Sequence, residues 1–316
     1  MKQERAGFQR ERKWANIRDM KSATVSVIGR PSAGKSTMVN TICEMKVSIT
    51  SRTPQTTRNK IRGIYTDQRG QIIFTDTPGY HLSDKEVNKR MQEVTVSALE
   101  DSDMILYIVD GKRSAKKEEE TIAELIKESK RPVVCCINKK DILTEEEKED
   151  AEFFLKQHFP DSPILLSSAK DDDGIDEVLI ELFKYAPEGE LMYDESQYTD
   201  QQLEFRISEI IREKTINLLR EEMPHCIYVE VSDLEYNEET KEVWVRAFIN
   251  VEREGQKGFV VGKGGETIRT IRKQSFNEIK RIFPGSKLQL DLRVKAQPKW
   301  RNNQVILDRN FKDMQK

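Results

Sequence analysis

Nowhere in its 316 residues does the chain carry an apolar run long enough to span a bilayer, which excludes an integral helical membrane protein. Histidine is scarce: His81, His158 and His225 are the whole set, and no metal or catalytic-triad pattern includes them. The four cysteines, Cys43, Cys135, Cys136 and Cys226, also lack metal-ligand spacing. With two of them inside an apolar run, they read as core thiols of a reducing cytosol. No internal repeat and no low-complexity tract is present. Residues 1–22 are rich in Lys and Arg but have no apolar core, so a secretory leader is not expected. Their Arg10, Arg12, Lys13 and Arg18 read as a solvated arm or as a contact to nucleic acid. What is present, 36% apolar and 34% charged residues over a two-domain length, describes a soluble globular protein.

Against that background one pattern stands out. Gly29-Arg30-Pro31-Ser32-Ala33-Gly34-Lys35-Ser36, followed by Thr37, fits G-x-x-x-x-G-K-[ST] between an apolar run, 25–28, and a helix opened by Lys35. Glycines let the backbone close around phosphate oxygens, the helix N-terminus faces the anion, Lys35 adds charge, and Ser36 reaches Mg²⁺. A nucleoside triphosphate is the implied ligand.

The base is read further along. An apolar strand, 133–137, delivers Asn138-Lys139-Lys140-Asp141, an N-K-x-D pattern. The Asp141 carboxylate can accept from guanine N1–H and the 2-amino group, whereas adenine would leave it unpaired at roughly 1 to 3 kcal/mol per group. Asn138 braces the loop and reaches N7, and the Lys139 stem lies along the ring. Asp76-Thr77-Pro78-Gly79 fits D-x-x-G, with Asp76 holding Mg²⁺ through water and Gly79 N–H sensing the terminal phosphate. Gln55-Thr56-Thr57-Arg58 places Thr57 as a further Mg²⁺ ligand. Ser168-Ala169-Lys170 supplies a last loop in which Ala169 N–H donates to guanine O6. Five elements follow the order of a Ras-like GTPase, each at a strand's C-terminal end, where open parallel sheets bind ligands. Lys35, Thr57 and Gly79 are the expected catalytic groups, although no general base is evident.

Net charge is −2, yet residues 141–204 carry 20 acidic against 4 basic side chains, and 241–316 carry 18 basic against 8 acidic. Within the basic part, Gly262-Lys263-Gly264-Gly265 forms a G-x-x-G loop before an amphipathic helix, 266–282, with strand-like alternation on either side. Such a loop lets a sugar-phosphate backbone pass closely, and about four single-stranded nucleotides fit it. A membrane surface or a protein is the alternative partner for the basic region.

Taken together, G-R-P-x-x-G-K-S-T at 29–37, P-Q-T-T-R at 54–58, D-T-P-G at 76–79, N-K-x-D at 138–141 and the C-terminal V-V-G-K-G-G resemble the Era GTPases. That resemblance implies a doubly wound α/β P-loop domain joined to an α+β type II KH domain. It further implies binding near the 3′ end of small-subunit ribosomal RNA, assistance to maturation of the small ribosomal subunit, GTP and GDP as ligands, and Mg²⁺. The cluster Lys295, Lys299, Trp300 and Arg301 falls where the family has a K-x-x-x-W segment beside the RNA, and Trp300 could stack on a base, although a lone tryptophan is as often a core anchor. Ser32 stands where the family usually has an asparagine that helps hold potassium, which argues against potassium stimulation. Tyr80 stands where fast Ras-like enzymes place a water-orienting glutamine, so slow unassisted turnover is expected. The expected domains are 1–22 basic extension, 23–186 GTP-binding, 187–200 linker, 201–302 KH and 303–316 tail. A cytoplasmic monomer is expected, at most weakly associated with the inner membrane face.

Overall fold

The computed structural model describes residues 20–51, 53, 56–80, 86–114, 117–219, 223–303 and 305–307. The arm with Arg10, Arg12, Lys13 and Arg18, the tail beyond 307, and His81, Pro54 and Gln55 of the readings above lie outside the described residues. Two compact units emerge, taking described residues only: 20–48, 60–80 and 92–200 form the first, and 49–59, 86–91 and 201–307 the second.

The first unit is an α/β sheet. Its strands are β1 (Lys21–Ile28), β2 (Ile61–Asp67), β3 (Gly70–Asp76), β4 (Met104–Asp110), β5 (Val133–Asn138) and β6 (Ile164–Leu166). Their order is β2-β3-β1-β4-β5-β6, parallel except for the β2–β3 hairpin at one edge. Helices α1 (Lys35–Ile42), α2 (Glu86–Glu100, of which 92–100 belong to this unit), α3 (Lys117–Ser129), α4 (Glu145–His158) and α5 (Ile175–Tyr185) alternate with the strands. β3, β4 and β5 are buried at every position, as strands covered on both faces must be, which is why β4 and β5 read as near-continuous apolar runs. α4 starts at a capping box: Thr144 Oγ accepts from Glu147 N at 3.2 Å, and Glu147 Oε2 accepts from Thr144 N at 2.9 Å.

A linker is expected from the sequence at 187–200, but these residues cluster with the first unit. Their backbone finds partners there. Gly189 N donates to Met20 O at 3.0 Å, Met192 N and Tyr193 N donate to Gln71 Oε1 at 3.0 and 2.9 Å, and Asp200 pairs with Arg62 at 3.0 Å.

The second unit runs α6 (Leu203–Leu218), β7 (Ile227–Asn237), β8 (Glu242–Val251), α7 (Lys257–Val261), α8 (Glu266–Ile282) and β9 (Lys287–Ala296), the αββααβ order of a type II KH domain. β7 pairs antiparallel with β8, and β8 pairs parallel with β9. Ile207 and Ile211 of α6, Ile271 and Ile279 of α8, and Val245, Ile249 and Leu290 of the sheet share one buried cluster.

Trp300 requires a correction. It is 0% exposed, its Nε1 donates to Cys226 O at 3.0 Å, and its ring lies 4.9 Å from that of Tyr228. The indole is an anchor of this unit, with no face free to stack on a base. Trp300→Ala is expected to destabilise the fold by about 3–5 kcal/mol. Chemical denaturation followed by circular dichroism would read this as a lower midpoint, and an unchanged midpoint would contradict the anchoring role.

Candidate nucleotide site and nucleic-acid interface

β1 ends at Ile28 and α1 opens at Lys35, so the phosphate loop spans the intervening turn. Two close approaches shape it. A methyl on Gly34 would lie 2.1 Å from Asn138 Nδ2, and one on Gly79 would lie 2.6 Å from both Cα and N of Pro31. Only residues without a side chain permit this. The D-x-x-G loop is thereby laid against the phosphate loop, and Thr77 Oγ1, bonded to Val27 O at 2.8 Å, ties it back to β1.

Lys35 Nζ donates to the carbonyls of Gly29 and Arg30, both at 3.0 Å. An ammonium has three N–H donors, so one remains for a phosphate oxygen. Burial pushes this ammonium down to about 8, while the charges of Asp76 and Glu119 pull it back up. Ser36 Oγ donates to Asp76 Oδ2 at 2.7 Å, and Asp76 is fully buried. A hydroxyl beside a buried carboxylate is an all-oxygen donor pair suited to Mg²⁺.

The base loops converge on the same place. Asn138 Nδ2 donates to Ala33 O at 2.8 Å, while its Oδ1 accepts from Ala169 N at 3.0 Å and from Ser167 Oγ at 3.3 Å. One carboxamide therefore joins the phosphate loop to the last loop. Ala169 N–H, expected from the sequence to serve guanine O6, is engaged by Asn138 here, and donation to a base requires that bond to exchange. Ser168 Oγ lies 2.8 Å from Asp141 Oδ1 and 2.9 Å from Asp171 Oδ2. Lys139 pairs through Nζ with the buried Asp110 at 2.8 Å, which fixes its stem beside the loop. Lys170 is exposed.

Thr57 lies on the segment 49–59, which groups with the second unit. There Thr50 N donates to Glu213 Oε1 at 2.9 Å, Arg212 Nη2 donates to Thr56 O at 2.5 Å, and Arg58 Nη1 donates to Ile227 O at 2.9 Å. Burial, reinforced by the neighbouring Arg212, pushes the Arg58 guanidinium down to about 9. The structure thus gathers residues 29–36, 76–79, 138–141 and 168–169 around one site and holds Thr57 among the groups of the second unit.

At the G-x-x-G loop, Gly262, Gly264 and Gly265 adopt positive φ of 74°, 59° and 77°. Arg269, one turn into α8, donates to the carbonyls of Gly264 and Gly265 and so clasps the turn. An open groove lined by Lys263, Glu266, Arg269, Thr270 and Lys273 begins there. Lys295 and Lys299 are exposed, with Lys295 Nζ 3.1 Å from the Phe248 ring centroid, whereas Arg301 is paired with Glu252. Sequence reasoning missed Asp110 and Arg269. The second carried a signal, an arginine four and five residues after the loop glycines whose carbonyls it holds.

Comparison with known proteins gives this geometry a family. Residues 24–139 match the family model of 50S ribosome-binding GTPases, and residues 222–301 match that of KH domains. GTPase Era of Treponema denticola is 46% identical over 294 residues, spanning 91% of this chain and 98% of the relative. The chain belongs to the Era family of GTPases. Within Era, the Borreliella afzelii protein is 42% identical over 290 residues, 92% of this chain and 99% of the relative. An Aquifex aeolicus Era bound to GDP·AlF4⁻ superposes with a TM-score of 0.87 at 32% identity, covering 93% of this chain and 99% of that one. A structure of Era with MgGDPNP and nucleotides 1506–1542 of 16S ribosomal RNA gives the same TM-score, identity and coverage.

Asp141→Asn should turn base preference from guanine toward xanthine, since xanthine has a carbonyl where guanine has its 2-amino donor. Competition binding between GTP and xanthosine triphosphate would test it, and an unchanged preference would remove Asp141 from the base pocket.

Proposed function

We propose that the chain is a slow GTPase switch that binds small-subunit ribosomal RNA through its KH domain and assists maturation of that subunit. The observation that carries the nucleotide half is the Asn138 bridge, because it makes the phosphate loop and the guanine-reading loops one rigid receptor. In this reading Lys35 directs its remaining N–H to a phosphate oxygen, Gly79 N–H faces the terminal phosphate, and the backbone of 32–37 cradles the rest. Ser36, and Asp76 through water, would hold Mg²⁺, whose chemistry is to neutralise charge on the phosphates, with Thr57 the further ligand that its motif implies. Tyr80 packs against the apolar cluster of the sheet and its phenol cannot copy a carboxamide. Unassisted turnover on the order of 10⁻³ to 10⁻² per second follows by analogy with GTPases that lack a supplied activating group. Potassium stimulation is not part of the proposal, given Ser32.

The RNA half rests on the exposed Lys263 at the tip of a glycine turn, continued by Arg269 and Lys273. A membrane or protein partner for this surface is the less favoured reading, since an Era relative has been solved with ribosomal RNA. The four cysteines are buried as free thiols, and burial pushes Cys43 and Cys135 up to about 12, so these two stay protonated and unreactive.

Lys263→Asp combined with Gly264→Asp tests this half. A Cβ on Gly264 would meet nothing nearer than Arg269 Nη2 at 4.0 Å, but the φ of 59° strains any side chain there, so circular dichroism of the variant must first show an intact fold. RNA affinity, measured by filter binding on a single-stranded small-subunit fragment, is expected to fall about tenfold or more, with a shallower salt dependence. Undiminished affinity would refute RNA binding through this loop.

A further inference from the structure

Behind the phosphate loop lies a buried chain of polar groups that the proposed reaction does not yet use. Arg30 is 4% exposed, and its Nε pairs with the carboxylate of Glu119 on the first turn of α3, itself 0% exposed. The other oxygen of that carboxylate accepts from Tyr107 of β4 at 2.7 Å, and Tyr107 is fully buried. Arg30 Nη2 also donates to Arg113 O at 3.3 Å, and Arg113 Nη1 returns a bond to Pro31 O at 3.4 Å. Both reach the loop that follows β4. The carbonyl of the same Arg30 accepts from Lys35 Nζ at 3.0 Å.

We infer that Glu119 and Tyr107 are positioning residues for nucleotide binding, acting through Arg30 to fix the carbonyl that aims the Lys35 ammonium at phosphate. The physical reason is geometric. Lysine has a flexible stem, and the direction of its free N–H is set by where its other two bonds are anchored. Here those anchors are the Gly29 and Arg30 carbonyls. Gly29 is itself wedged against β4, since a methyl there would lie 2.2 Å from Ile108 O. The Arg30 carbonyl gains the matching restraint from its own side chain, gripped by a carboxylate whose second oxygen is held by a phenol. A glutamate in the exposed-looking run 117–120 is thus part of the site's scaffold, not of its solvated face. Arg30 in this scheme never touches phosphate through its guanidinium. Its backbone does the work, and the side chain holds the backbone still.

This inference rests on the GTP reading above. The test compares GDP and GTP affinity, by fluorescent-nucleotide displacement with Mg²⁺, with melting temperature for the full chain and four variants. Arg30→Met and Glu119→Gln each leave a buried partner unmatched, so each should weaken both nucleotides about tenfold or more and lower the melting temperature. Tyr107→Phe keeps the ion pair and should weaken binding about threefold, a milder probe should the first two fold poorly. The double replacement Arg30→Met with Glu119→Gln removes both charges together. It should regain most of the lost melting temperature and still bind about tenfold more weakly than wild type. Recovery of affinity in step with stability would overturn the inference, because the pair would then serve folding alone. Unaltered affinity in the single variants would overturn it too. A wild-type chain that binds neither guanine nucleotide would remove the GTP reading and the inference with it, whereas wild-type binding with an undiminished double variant would remove the inference only.

Discussion

The nucleotide site depends on one side-chain amide. Asn138 donates to the phosphate loop at Ala33 and accepts from the last loop at Ala169, and both bonds are buried. Each is worth about 1 kcal/mol net, but breaking either leaves a buried polar group unpaired at greater cost. Gly34 exists to let that amide come close. Around it the remaining contacts fall into place: Lys139 on Asp110, Ser168 on Asp141, and Gly79 against Pro31. Loops from four separate strand ends behave as one receptor because this bridge, and the Lys35 bonds beside it, hold them in register.

The second unit solves a different problem. It exposes positive charge and a glycine turn while keeping a small three-stranded core intact. Apolar faces of α6 and α8 close that core, and Trp300 seals its edge by giving its N–H to a backbone carbonyl. Cations are sorted accordingly. Lys263, Lys295 and Lys299 remain exposed, while Arg58 and Arg301 are spent on internal partners, Ile227 O and Glu252. The segment bearing Thr57 is held by the same unit through Glu213 and Arg212.

Much of this was legible in the residues. α8 has the bounds, 266–282, that its pattern suggests, and β5 runs one residue past the expected 133–137, because a strand covered on both faces leaves a long apolar run and a helix with one apolar side leaves a clear period. The phosphate, guanine and G-x-x-G motifs were legible because each needs particular residue types at fixed spacing. What was hidden depends on contacts distant in sequence. Residues 187–200 look like a linker since they are polar, but their backbone partners lie more than a hundred positions away at Gln71 and Met20. Glu119 sits in an acidic run that reads as a solvated helix face, and only its pairing with Arg30 and Tyr107 shows otherwise. Trp300 is followed by a basic residue and carries no local sign that its indole turns inward.

The central claim is that one rigid pocket couples triphosphate binding to recognition of guanine. Isothermal titration calorimetry of the full chain with GTP and with ATP, each with Mg²⁺, tests it most directly. Two lost hydrogen bonds to the Asp141 carboxylate should leave ATP at least about a hundredfold weaker than GTP. Equal affinities for the two nucleotides would contradict the account.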